Sequence, residues 1–147
     1  MIPPTTTRVS THTAEDINER IRRQTDETVS ACVSGGVTAI DRRLRELDEE
    51  WDIERTLETN AATISLIGLG LGAFIDREWF MFPVLVCGFL LQHAIQGWCP
   101  PMPVFRRLGV RTSFEIEQER YALKSLRGDF QRLPTVRDGG ANGLTVS

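Results

Sequence analysis

Two long uncharged stretches in the middle of the chain constrain its fold more than any other feature. Residues 59–75 contain no charged side chain, and residues 79–105 contain none apart from His93. Only Asp76, Arg77 and Glu78 separate the two stretches. Each stretch is apolar all round a helix, which is typical of a helix surrounded by lipid or buried in a large core. The pattern predicts a hairpin of two apolar helices, residues 61–75 and 79–95, joined by a tight turn.

The lengths and the aromatic residues favour a membrane hairpin. At about 1.5 Å per residue the two helices reach about 22 and 26 Å, slightly less than the ~30 Å hydrocarbon core of a bilayer. Thr59 and Asn60 extend the first helix. Aromatic side chains lie at the ends of the second helix, as in an interfacial belt: Trp79, Phe80, Phe82 and Trp98. The alternative is a buried hairpin in a soluble helical bundle.

Charge predicts the orientation in the membrane. The chain has 17 basic and 20 acidic residues, a net charge of -3, which argues against a nucleic-acid partner. Arginines flank the hairpin on both sides, whereas its turn carries Arg77 alone. By the positive-inside rule, we expect a multi-pass protein of the bacterial inner (cytoplasmic) membrane with both termini in the cytoplasm. Met1 to Ser10 has no apolar core typical of an export signal, so the hairpin itself is expected to direct insertion.

Residues 13–58 are predicted to form a cytoplasmic amphipathic helical arm. Thr13 is the expected N-cap, and Gly35-Gly36 is the expected break. One narrow apolar stripe follows the arm at helical spacing, through Ile17, Ile21, Val29, Val33, Val37, Ile40, Leu44, Leu47 and Trp51. We expect this stripe to lie on the membrane surface or to pair with another helix. The alternative is that it packs on the chain's own C-terminal helix.

The remaining segments complete an all-α integral membrane architecture: a two-helix transmembrane hairpin (59–98), a long amphipathic N-terminal helix and a short C-terminal cytoplasmic helix. Residues 99–130 are expected to contain an extended turn, forced by Pro100, Pro101 and Pro103, and then that last helix. Thr112 and Glu115 form a capping-box pattern at its start, and Gly128 is placed to end it. Residues 1–12 and 131–147 are expected to be disordered.

Small residues suggest a helix-packing face within the hairpin. Ala61, Ser65, Gly68 and Gly72 follow one another at steps of 4, 3 and 4, so they share one side of the first helix. Small side chains allow close approach of helix backbones in lipid. Gly88 offers a similar position on the second helix. The face is expected to mediate oligomerisation or, alternatively, to receive the chain's own second helix.

The sequence Gln96-Gly97-Trp98-Cys99-Pro100-Pro101, followed by Arg107-Leu108-Gly109-Val110, resembles a known pattern. It is similar to the YgaP-like inner-membrane transmembrane-domain family, a domain of unknown function, over roughly residues 51–110. The resemblance implies two short spans, the second ending in a Gly-aromatic-Cys-Pro motif, and a dimerising hairpin. Some members carry a fused rhodanese sulfur-transfer domain, for which this chain has no room. A link to sulfur chemistry is therefore an association implied by the resemblance alone.

Cys99 is the candidate reactive thiol, because it lies at a predicted membrane interface where thiolates carry out redox, transfer or metal chemistry. The negative end of the preceding helix dipole opposes a thiolate, which favours the alternative of a structural turn residue. Cys87 and Cys32 are assigned to packing.

His93 and Gln96 form a candidate polar site at the end of the second helix, since ionisable groups within a membrane often have a function. The alternative is a histidine that is merely hydrogen-bonded. One His and one Cys six residues apart are too few for a metal, and the pattern in 68–73 lacks the strand that a dinucleotide site requires.

No cofactor, metal or catalytic constellation is predicted, and we do not expect an enzyme. The sequence predicts a small integral membrane protein that oligomerises or serves as an accessory or anchor subunit, with the lipid bilayer and a larger membrane complex as partners. One alternative is an accessory to sulfur- or small-anion-related transport or transfer that uses Cys99. The second alternative is a soluble helical bundle that mediates interactions.

Overall fold

A computed structural model describes Pro4 and residues 6–132, and every regular element in that part of the chain is helical. The all-α prediction is therefore confirmed there. The elements in chain order are α1 (Arg8–Thr11), α2 (Glu15–Glu49), α3 (Ile53–Phe74), a 3-10 turn (Arg77–Phe80), α4 (Met81–Gln96), α5 (Met102–Arg107), α6 (Ser113–Arg127) and a second 3-10 turn (Asp129–Arg132).

Helix α2 reverses direction at Gly36, so it forms two antiparallel arms, residues 15–35 and 37–49. Gly36 has φ 73° and ψ -170°, which a residue with a side chain rarely adopts. Thr25 and Glu50 both hydrogen-bond to the guanidinium of Arg111, at 3.2 and 2.7 Å. A straight helix would separate these two residues by roughly 37 Å. The predicted break at Gly35-Gly36 is confirmed, and it is a full reversal.

The two arms of α2 and helix α6 form a three-helix bundle. Its core contains Cys32, Ile40, Leu44, Leu47, Ile116 and Leu123. Ile40, Leu44 and Leu47 of the apolar stripe therefore pack on the chain's own C-terminal helix, so the expectation that they cover the membrane surface or another helix is wrong for these three residues. Val33, Val37 and Trp51 of the same stripe are exposed. The sequence left this alternative open because a stripe shows only that a helix buries one side.

Both predicted boundaries of α6 are confirmed. The Thr112 side chain accepts a hydrogen bond from the Glu115 backbone, and the Glu115 carboxylate accepts one from the Thr112 backbone, which completes the capping box. Gly128 ends the helix in a left-handed conformation with φ 85°.

The apolar hairpin consists of α3, the 3-10 turn and α4. Helix α3 begins at Ile53, because the Asp52 side chain caps it by accepting the Arg55 N–H at 2.8 Å. The predicted boundary between a helical arm ending at residue 58 and a hairpin starting at 59 is therefore wrong. Residues 53–58 continue without a break into the apolar helix, and they join the hairpin to the bundle.

Close approach of α3 and α4 depends on two glycines. A Cβ at Gly68 would lie 2.8 Å from Pro83 Cδ, and one at Gly72 would lie 2.7 Å from the Phe80 ring. The start of the second helix thus fills the small-residue face of the first. Ser65 is half-buried on the same helix, whereas a Cβ at Gly88 would meet nothing within 4 Å.

The N-terminal expectations need correction. Residues 8–11 form α1 rather than a disordered segment, because Val9 is buried beside Ile53 and Cys99. Thr13 is not an N-cap. Helix α2 begins at Glu15 after Ala14, and the Thr13 hydroxyl donates to the Val9 carbonyl at 2.9 Å. Met1–Pro3 and Thr5 lie outside the described residues.

The turn after the hairpin is also more regular than expected. Helix α5 begins at Met102, and Pro101 and Pro103 fall at its N-cap and first turn, where the N–H that proline lacks has no helical partner anyway. Residues 131 and 132 belong to the second 3-10 turn, which shortens the predicted tail; residues 133–147 lie outside the described part.

Candidate functional site

The hairpin base is the point where α1, α5 and the near ends of α3 and α4 meet. A second apolar cluster holds it together, made of Val9, Ile53, Leu57, Cys99 and Met102. The Ile53 N–H donates to the Arg111 carbonyl at 2.8 Å, so the base is also fixed to the bundle. Two of the predicted site residues, His93 and Cys99, lie here.

A chain of polar contacts crosses this base. His93 Nε2 lies 3.0 Å from one Glu54 oxygen, and Arg8 Nη2 donates to the other at 2.9 Å. Arg8 Nη1 donates at 2.7 Å to the Ala94 carbonyl, one of the carbonyls left free at the end of α4. Gly97 allows this approach, since a Cβ there would lie 2.7 Å from the Arg8 backbone.

The Glu54 carboxylate thus accepts hydrogen bonds on both of its oxygens, and the Arg8 guanidinium favours its ionised form. An ionised carboxylate can only accept, so His93 carries a proton on Nε2. The histidine is 2% exposed, and its Nδ1 has no hydrogen-bond partner among the described residues.

The thiol of Cys99 lies against the His93 ring and is 3% exposed. A thiol, an imidazole and a carboxylate therefore lie next to one another at the hairpin base. The structure brings together the predicted Cys99 and His93, but it leaves Gln96 exposed and outside the site.

Sequence reasoning missed Glu54 and Arg8. Glu54 is 39 residues from His93, and only the pairing of α3 with α4 brings them together. Arg8 was placed in a segment expected to be disordered. No spacing motif in the sequence connects these residues.

An apolar groove opens between α3 and α4 next to this polar chain. It has a volume of about 400 Å³, within the range of small-molecule sites. Its walls include Leu57, Ala61, Ile64, Leu85 and Phe89, and Cys99 lies in its lining. The candidate thiol is thus reached from the apolar side of the base.

The bundle contains a separate buried ion network. Glu119 is buried and receives a hydrogen bond from Arg43 at 2.7 Å and another from Arg111. Burial opposes its ionisation, but these two cations outweigh burial and hold the pKa of Glu119 below its usual value. Every charged group buried in this network has a hydrogen-bond partner, so we assign the network to stabilising the bundle.

Two helical stretches, within Glu15–Phe74 and Arg77–Gln96, are long and apolar enough to cross a membrane, judged by length and composition. In the described part of the chain, no three His, Cys, Asp or Glu side chains are grouped so that they could hold a metal ion.

No family model matches this chain, and no curated protein or solved structure shows a significant match to it.

Proposed function

We propose that the α3–α4 hairpin is embedded in a lipid bilayer and anchors the three-helix bundle on one side of it. The observation that carries this proposal is the exposed apolar surface of the hairpin. Phe74 is 91% exposed, and large apolar side chains point outward on both helices, including Leu66, Ile67, Ile75, Met81, Val84, Leu85 and Leu91. A patch of this size on a soluble monomer is rare and marks contact with a membrane or protein.

The burial pattern argues against the soluble-bundle alternative. In Arg77–Gln96, only 6% of the 18 most apolar consecutive residues are buried inside the structure. The core helix of a soluble protein is mostly buried. Most of the exposed large apolar side chains lie on the hairpin, whereas the bundle contains nearly all of the ion pairs. The surface of the hairpin is thus suited to lipid, and the surface of the bundle is suited to water.

The distribution of arginine supports an orientation with both termini in the cytoplasm of a bacterium and the protein in its inner membrane. Arg77 is the one arginine at the hairpin tip, while Arg42, Arg43, Arg45, Arg106, Arg107 and Arg111 belong to the opposite end. Trp79 and Phe82 contact each other near the tip, and Trp98 lies at the base, as expected for two interfacial levels.

Extraction and labelling test this proposal. The full chain is expected to stay in membranes washed with alkaline carbonate and to require detergent for release. In intact cells, a membrane-impermeant maleimide should label Arg77→Cys, whereas the matched variant Arg107→Cys should react only after lysis. Release without detergent, or labelling of Arg77→Cys only after lysis, would contradict the anchor or its orientation.

Within this proposal the protein serves as an anchor or accessory subunit, and self-association uses a face other than Gly68 and Gly72. The chain's own Pro83 and Phe80 fill that face, while Gly88 faces open space. Crosslinking in native membranes is expected to give a dimer or a larger complex, and Gly88→Leu should weaken a self-association that uses this face. A strictly monomeric species in both detergent and bilayer would exclude oligomerisation.

The resemblance to the YgaP-like inner-membrane family stays a prediction from the sequence. The apolar groove beside Cys99 favours an apolar substrate over the small anion of the sequence-based alternative.

A further inference from the structure

We propose that the hairpin base binds the phosphate groups of anionic phospholipids through Arg55 and Arg107, while Val104 and Leu108 insert between the headgroups. The lipids belong to the leaflet that faces the bundle. The inference rests on the proposed membrane location of the hairpin and deepens it. It names a lipid class and the side chains that select it, neither of which an apolar anchor by itself requires.

Arg55 is held in place while its N–H groups stay free. Its guanidinium lies over the ring of Trp51, with Cζ 4.2 Å from the ring centroid, and both residues are exposed. Across residues 6–132, no carboxylate forms an ion pair with Arg55. Stacking uses the face of the guanidinium, so the N–H donors at its edge can bind both oxygens of a phosphate.

The position of Arg55 along α3 places it at the depth of the headgroups. Thr59 begins the uncharged stretch of the first hairpin helix, and Arg55 precedes it by four residues, or about 6 Å of helix. The headgroup region on each side of the hydrocarbon core is about 5–7 Å thick. A guanidinium at this depth meets lipid phosphates.

Helix α5 lies at the same level, as its contacts show. Met102 is fully buried in the apolar cluster at the hairpin base. Pro101, which precedes the helix, lines the hairpin groove together with Ala61. The helix therefore begins beside the first residues of the apolar stretch, where the hydrocarbon core of the bilayer ends.

Apolar and basic side chains share the outer surface of α5. Val104 is 56% exposed and Leu108 is 74% exposed. Arg107, next to Leu108, is exposed and has no ion-pair partner among the described residues. Apolar and basic side chains together at an interface are typical of a helix that lies on anionic lipid, with its apolar side chains at the boundary between headgroups and acyl chains.

The charge balance at the base favours an anionic lipid over a zwitterionic one. Glu50 and Glu54 each pair with an arginine of the chain itself, at 2.6 and 2.9 Å. These pairs leave the two arginines of the proposed site available. A zwitterionic headgroup carries its own cation beside the phosphate, whereas an anionic one gains more from an added guanidinium. Glu58, exposed one turn along α3 from Arg55, opposes binding.

The experiment uses the full chain in phosphatidylcholine nanodiscs that contain spin-labelled phosphatidylglycerol or spin-labelled phosphatidylcholine. Electron paramagnetic resonance measures the motionally restricted fraction of each lipid, and the chain should restrict phosphatidylglycerol preferentially. Arg55→Gln and Arg107→Gln should each lower the relative association constant by about 5-fold, the usual contribution of one arginine near an anionic membrane surface. Glu58→Gln should raise it.

Arg23→Gln is the matched control. Arg23 is exposed, has no ion-pair partner in the described part of the chain, and lies about 12 Å along α2 from its first residue. Its replacement should leave the lipid preference unchanged. No preference in the unmodified chain, or a loss in Arg23→Gln as large as that in Arg55→Gln, would overturn the proposal. Loss of the preference in inorganic phosphate but not in chloride of equal ionic strength would assign the site to free phosphate and would overturn it too.

A fluorescent label tests the insertion of α5 separately. Cys87 is exposed whereas the other two cysteines are buried, so the labelled variants carry Cys87→Ser. An environment-sensitive fluorophore on Leu108→Cys should show blue-shifted emission in nanodiscs, and the same label on Leu126→Cys, an exposed position of the bundle, should emit as in water. Equal, water-like emission at both positions would overturn the insertion. Carbonate-resistant protein without a preference for phosphatidylglycerol would refute this inference alone and leave the anchor intact.

Discussion

Arg106 is the most completely satisfied side chain of the described residues. It is fully buried, and its five N–H groups find acceptors on Thr13, Asn18, Val110 and both oxygens of Glu115, at 2.7 to 3.2 Å. Burial opposes ionisation of Glu115, but the guanidinium outweighs it and holds the pKa of Glu115 below its usual value. One side chain of α5 thus links the segment before α2, α2 itself and α6.

Arg106→Ala is expected to destabilise the bundle by about 3–5 kcal/mol, because it leaves the Glu115 charge without its partner. Urea unfolding in mild detergent, followed by circular dichroism, measures the change. The neighbouring Arg107 is exposed, so Arg107→Ala should change stability by less than about 0.5 kcal/mol. Equal effects in the two variants would show that the buried network contributes no more than a surface charge.

At the scale of elements, the interface between α2 and α6 combines an apolar core with buried ion pairs. Leu47 and Leu123 lie in the core, while Arg43 and Glu119 join the helices at its edge. Arg127 donates to Asp41 at 2.6 Å near the far end. Because each cation reaches across from one helix to another, the packing of the bundle depends on the ionisation of its acids.

Acid should therefore destabilise the bundle. Glu115 and Glu119 have folded pKa values below the ordinary value of 4.5, so their contribution is complete above that pH and is lost as the pH falls through the folded values. Urea midpoints measured from pH 7 to pH 2 should fall mainly below about pH 4.5. Glu119→Gln should be less stable at pH 7 and show a smaller decline. A midpoint that is flat down to pH 2 would contradict this assignment.

The two glycines of α3 make the hairpin sensitive to added volume. Gly72→Leu is expected to cost about 1–3 kcal/mol, because the new side chain would overlap the Phe80 ring. Gly88→Leu adds the same atoms where nothing lies within 4 Å and should leave the melting temperature of the monomer nearly unchanged. If Gly72→Leu is as stable as Gly88→Leu, the two helices do not approach each other at this glycine.

The elements that sequence predicted well are those set by local rules. The break at Gly36, the capping box at Thr112 and the stop at Gly128 each depend on residues within one turn. The elements it missed depend on contacts far along the chain. Helix α1 is held by burial of Val9 and by Arg8, and α3 begins at Ile53 because the Asp52 cap and the hairpin base coincide there.

The candidate site could likewise be predicted only in part from the sequence. Cys99 and His93 could be selected singly as a thiol and an ionisable group near a membrane interface. Their contact, the role of Glu54 and the groove all follow from how α3 and α4 pair, which hydropathy alone does not specify.

At the scale of the whole molecule, apolar and charged surfaces occupy separate parts. The hairpin exposes Leu66 and Phe74, whereas the bundle exposes mainly charged side chains and includes isolated apolar ones such as Leu126. Scattered apolar residues on the bundle are ordinary for a protein in water. A charged substitution on the hairpin surface should therefore impair membrane insertion, whereas the same substitution on the bundle surface should not.

Leu66→Asp should impair membrane insertion, because an acidic residue near the centre of a span costs about 2.5–3.5 kcal/mol. The fraction of protein resistant to carbonate extraction measures the effect and is expected to fall sharply. Leu126→Asp places the same charge on the bundle and should leave that fraction unchanged. Full resistance in Leu66→Asp would show that the first apolar helix does not lie in lipid.

The direction of α6 has a consequence for anything that docks on this protein. The helix starts beside the hairpin base, where the Arg111 backbone carbonyl accepts a hydrogen bond from the Ile53 N–H. It ends near the Gly36 bend, where the Arg127 guanidinium donates to the Asp41 carboxylate. Its 15 residues span up to about 22 Å. With the hairpin in a bilayer as proposed, a macromolecule that recognised the bend would stand clear of the phospholipid headgroups, and its affinity would be insensitive to their composition.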